Sequence, residues 1–255
     1  MTVLNKTGQK VFLTDYTWKE LSELPEKKEL KFLLPLGATE EHGYHLPLGS
    51  DTLQASKVAQ MAAQRVPGVI VMPEISYGSC VDTMNFCGTI HISGTTLGSL
   101  VTDIAESLYR HGFRKLVIFN GHGGNKGVAD TGLREALHNL TPPGKEFAPD
   151  FDIYLLNAYE RPGQQISPLV EGKDWGHACE IETSVMLVLA PEAVDMKQAV
   201  EEYMPGDSYT VWRVRDMKTV SQSGVHGAAN LATPKKGKQV LELLVSDLVS
   251  LLERI

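Results

Sequence analysis

The sequence predicts a single α/β domain on a mostly parallel sheet, and three observations carry that expectation. Short, wholly apolar runs recur along the 255 residues; amphipathic stretches of helical length separate them; polar, chemically capable residues stand directly after two of the runs. Continuous apolar runs suit strands covered on both faces, and their alternation with helices marks parallel crossover units.

The elements follow in chain order. Leu30–Leu36 reads as the first strand. Asp51 to Gln64 opens on an acidic residue and spaces Leu53, Val58, Met61 and Ala62 at helical intervals. Val69–Met72 is a second strand. Thr95 to His111 carries Leu97, Leu100, Val101, Ile104 and Leu108, and stops at Gly112. Leu116–Phe119 and Ile153–Leu156 are further strands, with a helix over Lys126–Asn139 between them. Glu182–Leu189 and Lys235–Ile255 close the chain as helices. Thr141-Pro142-Pro143-Gly144-Lys145 is a loop, because the strand–helix rhythm resumes beyond it. One domain, residues 1–255, is expected.

Composition narrows the function. Twenty-four basic against 31 acidic residues leave a net charge of −7. Such a surface argues against a nucleic-acid backbone as partner, which needs clustered Lys and Arg. No apolar run approaches the ~20 residues that span a bilayer. The first residues, Met1-Thr2-Val3-Leu4-Asn5-Lys6, lack an apolar leader. A cytoplasmic protein is expected. Cys80, Cys87 and Cys179 form no CxxC pair and read as free thiols.

In open parallel sheets, ligands gather beyond the carboxyl ends of the strands. After the first strand come Glu40, Glu41, His42, His45 and Asp51: three carboxylates and two imidazoles within twelve residues. Side chains two apart in extended chain share a side, so Glu40 and His42 can reach one volume. Asp51 is expected at the N-cap of the next helix. After the third strand stands Asn120-Gly121-His122-Gly123-Gly124-Asn125, where glycines admit close backbone approach. A third cluster, Trp175-Gly176-His177-Ala178-Cys179-Glu180-Ile181-Glu182, sets an imidazole and two carboxylates ahead of an apolar helix. Mixed His, Asp and Glu donors suit zinc, manganese or ferrous iron, and a shared carboxylate can bridge two ions. His177 and Cys179 share a face if that segment is extended, which leaves a Cys–His nucleophile as rival chemistry.

These residues carry a resemblance. Leu34-Pro35-Leu36-Gly37-Ala38-Thr39-Glu40-Glu41-His42-Gly43 with Asp51-Thr52 is similar to the signature of the creatininase (creatinine amidohydrolase) family. Thr17-Trp18-Lys19-Glu20, Phe86-Cys87-Gly88-Thr89, Arg110-His111-Gly112, the His122 cluster, Gly176-His177-Ala178 with Glu182-Thr183-Ser184, and Gly224-Val225-His226-Gly227 follow in the right order. The resemblance implies a three-layer α/β/α sandwich, usually a homohexamer, with two divalent ions per chain. It implies that Glu40 and His122 hold one ion, His42 the other, and Asp51 bridges; that a metal-bridging water attacks a small amide; and that His177 carries a proton, with Glu182 behind it. Gly123, Trp175 and His91 are expected to line the pocket.

Two departures stand out. Gly124 replaces a Glu that ligates the second ion in creatininase itself, and Lys173 replaces a substrate-facing Trp. Glu182 is expected to complete the second ion's ligands, with Glu180 as the alternative. The expected function is metal-dependent hydrolysis of a carbon–nitrogen bond in a small or cyclic amide. A peptidase trimming a modified peptide, creatininase proper, and an inactive small-molecule binder of the same fold are the alternatives.

Overall fold

In the computed structural model, residues 2–144, 150–205 and 216–255 are described. A four-stranded parallel sheet, ordered β2-β1-β3-β4, forms the middle layer: β1 is Lys31–Leu36, β2 Val69–Val71, β3 Lys115–Asn120 and β4 Asp152–Asn157. After α1 (Trp18–Glu23), helices α2 (Ser50–Arg65), α3 (Gly94–Arg110) and α4 (Lys126–Leu140) make the three crossovers. The short α5 (Gly163–Ile166), then α6 (Glu180–Leu189) and α7 (Pro234–Arg254), follow.

The strand pleat decides which layer each side chain joins. Phe32, Leu34, Leu36, Leu116 and Ile118 pack with Leu97, Val101, Leu133 and Ala136 of α3 and α4. Leu33, Val117 and Phe119 face the other way, against Val58 and Ala62 of α2, Ile181 and Val185 of α6, and Val240, Leu244 and Leu248 of α7. The three-layer sandwich is therefore observed. Truncating one of these fully buried side chains, such as Phe119, costs about 3–5 kcal/mol.

Sheet register positions the chemistry. β1 and β3 pair from Lys31–Lys115 through Leu36–Asn120, so the two strands end side by side. The residues that follow, Glu40 and His42 from one and His122 from the other, emerge on one edge.

A second, antiparallel sheet was not expected: β5 (Trp175–His177), β6 (Glu201–Glu202) and β7 (His226–Ala228), ordered β5-β7-β6. Strands of two or three residues are too short to show alternation. Two helix starts also differ from expectation. The N-cap of α2 is Gly49, which puts Asp51 in the first turn; the Ser50 N–H and Oγ both bond the Pro47 carbonyl and begin the turn early. α6 begins at Glu180 with Cys179 as its cap, two residues before the apolar pattern.

Tyr203 and Met204 lie against their own chain: the Tyr203 hydroxyl accepts the Lys173 N–H at 2.8 Å, and the Met204 N–H donates to His226 Nδ1 at 3.0 Å. Tyr209 and Trp212, further apolar residues of the same stretch in sequence, lie outside the described residues. No helix among the described residues is long and apolar enough to cross a membrane.

Candidate metal centre

Two helix starts and three strand ends converge on one buried cluster. Glu40 and His42 come from the loop after β1, Asp51 from the first turn of α2, His122 from the end of β3, His177 from β5 and Glu182 from the first turn of α6. Both Asp51 and Glu182 thus sit at helix N-termini, where the helix dipole favours a carboxylate. A bond from Thr52 Oγ1 to the Ala38 carbonyl, 3.0 Å, ties α2 to the β1 loop.

Second partners fix which ring nitrogen faces inward. His42 Nδ1 lies 3.1 Å from the Glu40 carbonyl, and His122 Nε2 lies 3.0 Å from the Ser79 carbonyl. A carbonyl only accepts, so these nitrogens carry hydrogen, and in the neutral ring His42 Nε2 and His122 Nδ1 keep lone pairs that face the cluster. His42 Nε2 is 3.0 Å from Asp51 Oδ1; His122 Nδ1 is 3.0 Å from Asp51 Oδ2 and 3.0 Å from Glu40 Oε2. The two oxygens of Asp51 therefore meet imidazoles from two different strand loops.

Glu40 Oε2 and Asp51 Oδ2 are buried and have no hydrogen-bond partner among the described residues. Leaving a buried acceptor unsatisfied is costly. Beside the lone pair on His122 Nδ1 they form three converging acceptors, an arrangement that requires a proton or a cation. His42, Asp51 and Glu182 present a second set, with one donor atom from each lying within 4.8 Å of the others. The donor chemistry fits divalent ions at both places.

The charge balance agrees. Burial opposes ionisation of Glu40, yet the His177 and His122 imidazoles hold its carboxyl down to about 2. Burial likewise opposes charge on Asp51, and His42 and His122 outweigh it, so its pKa is lowered. Burial works against the charged form of His42, but Asp51 raises it to about 9. His177 rises to about 10 against the same burial penalty, through Glu40 and Glu41. His122 is raised too, with Asp51 the leading favourable partner. Burial pushes Glu182 up, with His42 and His177 opposing.

His177 lies with its ring 4.6 Å from that of His42 and its Nε2 2.8 Å from the Glu41 carbonyl. Ala178 beside it has φ +48°, a left-handed conformation uncommon for a side-chain-bearing residue. That twist ends the extended geometry on which a His177–Cys179 pair depended. Cys179 is fully buried, its N–H faces Glu182 Oε2 at 3.3 Å, and burial raises its thiol pKa well above the usual range. Glu180 is committed elsewhere: it accepts the Glu171 and Gly172 N–H groups and pairs with Lys236 Nζ at 2.5 Å.

The pocket expectations divide. Gly123 borders open space beside His122. His91 Nδ1 accepts the Cys80 N–H at 3.1 Å and so braces the segment whose Ser79 carbonyl holds His122. Trp175 sits edge-on to Tyr159, ring centroids 6.1 Å apart, and is half-buried against the core. His45 is buried and bonds Thr183 Oγ1 at 2.7 Å; burial, then His42 and His177, lower it to about 4. Sequence reading missed two contributors: Thr83, whose hydroxyl donates to Glu40 Oε1 at 2.5 Å, and Cys80, whose thiol is 3.7 Å from His122 Nε2; Glu41, counted in the first cluster without a role, lies 3.1 Å from His177 Nε2. Thr83 and Cys80 carry no sequence signal. A cleft of about 560 Å³ between α3 and α4, lined by Gly94, Gly98, Thr131 and Glu135 among others, has no imidazole or thiol on its wall.

The creatininase family model, described as creatinine amidohydrolase, matches residues 14–252. The chain belongs to the creatininase family. Creatinine amidohydrolase of Pseudomonas putida is 32% identical over 256 residues, covering 94% of this chain and 95% of that protein. The mycofactocin precursor peptide peptidase of Mycobacterium ulcerans is 32% identical over 232 residues, covering 87% and 84%. A solved creatininase described with Mn superposes with a TM-score of 0.84 at 32% identity, covering 96% of this chain and 98% of that one. Within the creatininase family this chain carries Gly at position 124, and the structure gives a local reason. A Cβ there would overlap the Ser79 carbonyl oxygen and crowd His122 Nε2 at 2.6 Å.

Proposed function

We propose that the chain is a two-metal amidohydrolase cleaving a carbon–nitrogen bond in a small amide. One observation carries the reading: Asp51 offers one oxygen to His42 and the other to His122, each at 3.0 Å. In this reading Glu40, His122 and Asp51 hold one ion, while His42, Asp51 and Glu182 hold the other, Glu182 standing in for the ligand absent at Gly124. The charges support two dications. Glu40, Glu41, Asp51 and Glu182 are all buried, and two divalent ions with neutral imidazoles would balance four carboxylates. Zinc, manganese or ferrous iron, when bound, supplies Lewis acidity that lowers the pKa of water and polarises an amide carbonyl.

The chain's own groups do the rest. Thr83 holds Glu40 in place from Oε1, leaving Oε2 to the cation. His177 keeps its Nε2–H on Glu41 and can carry a second proton at Nδ1 for the departing nitrogen. Glu182 is proposed to stand behind His177, and Gly123, His91 and Trp175 to shape or brace the surround. The natural substrate is proposed to differ from creatinine, because the position used by creatininase for a ligand has no room here for any side chain. A short modified peptide is the second reading, favoured by the 32% identity to a peptide peptidase. The working protein is proposed to be a cytoplasmic homohexamer.

The test is metal content by elemental analysis, then turnover of a panel holding creatinine, N-formylated small amides and a short peptide. Two ions per chain and metal-dependent turnover of a small amide are expected. Absence of bound metal after loading would leave an inactive binder instead.

A further inference from the structure

Glu41 is buried at the centre of the cluster, yet the proposed reading gives its side chain no cation to hold. Its N–H donates to Thr89 Oγ1 at 2.9 Å, and its Oε2 accepts the Gly43 N–H at 2.9 Å. Its Oε1 lies 3.1 Å from His177 Nε2 and has no hydrogen-bond partner among the described residues. The same Nε2 is 2.8 Å from the Glu41 carbonyl, so one residue flanks that N–H with both its carbonyl and a carboxylate.

Room for the carboxylate is built into the opposite wall. Gly224 has φ +82°, and a Cβ on it would overlap the Glu41 carboxyl group. The turn that presents Gly224 is held by contacts that do not involve Glu41: the Gly224 N–H donates to Ser221 Oγ at 2.8 Å, while Glu202 accepts the Gln222 and Ser223 N–H groups at 2.8 and 2.9 Å. Two segments nearly two hundred residues apart in sequence thus make a cradle for one acid.

We propose that Glu41 is the positioning carboxylate of His177 and that Gly224 is the residue that admits it. The inference rests on the reading of His177 as the proton carrier. A carboxylate behind an imidazole fixes the ring and stabilises the imidazolium formed when the ring takes up a proton. A neutral amide at position 41 keeps the shape and removes the charge.

The experiment uses the zinc-loaded protein. The His177 Nε2–H proton, assigned by its loss in His177→Ala, should resonate far downfield beside a charged acceptor. Glu41→Gln should move it upfield with metal content and melting behaviour retained. Gly224→Ala should reproduce that shift, and the double variant should go no further, since both changes remove one contact. On whichever small amide the parent turns over, each single variant should lose about 10- to 100-fold in kcat at unchanged KM, the worth of a carboxylate held close to an imidazolium. An unmoved proton signal in Glu41→Gln, or kcat losses that multiply in the double variant, overturns the proposal. If the parent turns over no amide, the hydrolase reading fails while the proton signal still decides the role of Glu41.

Discussion

The Ser79 carbonyl accepts the His122 Nε2–H at 3.0 Å from the space that a side chain at position 124 would need. One contact therefore sets the tautomer of a proposed ligand and excludes a side chain two residues away. The excluded side chain includes the Glu ligand that the family resemblance implies at that position.

Restoring that ligand should fail. Gly124→Glu forces the Ser79 segment to move, and overpacking of this kind costs about 1–3 kcal/mol. The expected result is a lower melting temperature and reduced metal content, read by calorimetry and elemental analysis, with no gain in creatinine opening. Creatinine turnover rising in a fully metallated variant would show that the segment yields.

Asp51→Asn should release both ions. The amide keeps one acceptor oxygen and loses the charge that two imidazole-bearing positions share. Elemental analysis after desalting measures it; two tightly held ions per chain in the variant would dismiss the bridging role.

His177→Ala should keep both ions and lose about 10²–10⁴-fold in turnover, the usual worth of general acid–base catalysis. Loss of an ion from that variant would make His177 a ligand.

Metal and protons should compete. In the metal-free protein Asp51 holds the pKa of His42 up at about 9, so the imidazole is charged at neutral pH. Its ligand nitrogen must be deprotonated to bind a cation, so binding expels a proton and affinity climbs with pH until about 9. Calorimetric titration at pH 7 in buffers of different ionisation enthalpy counts the protons. A buffer-independent heat would contradict the ring assignment.

Cys179→Ala should leave turnover within a few-fold of the parent, because a fully buried thiol whose pKa burial raises makes a poor nucleophile. A loss as large as that of His177→Ala would return the thiol to the mechanism.

The parallel sheet was legible because its apolar runs and intervening helices carry distinct periods, and the clusters at the ends of β1 and β3 follow from where such sheets bind ligands. The second sheet was not, since three residues cannot display alternation. Asp51 was expected both at the N-cap of α2 and, from the resemblance, between two ions; the helix instead caps at Gly49, and both Asp51 oxygens lie against His42 and His122. The conformation of Ala178 was not legible either. A single left-handed residue reverses the direction of the next side chain, and nothing in an alanine announces it.

The proposed ligands also divide unevenly along the chain. Glu40, His42, Asp51 and His122 belong to the loops and helix beside the parallel sheet, whereas Glu182 lies in the first turn of α6. Ions held between them would act as a clasp joining the first half of the polypeptide to the second. Chelation should then register as faster amide hydrogen exchange, concentrated in the first turns of α2 and α6, with the strands of the central sheet still protected.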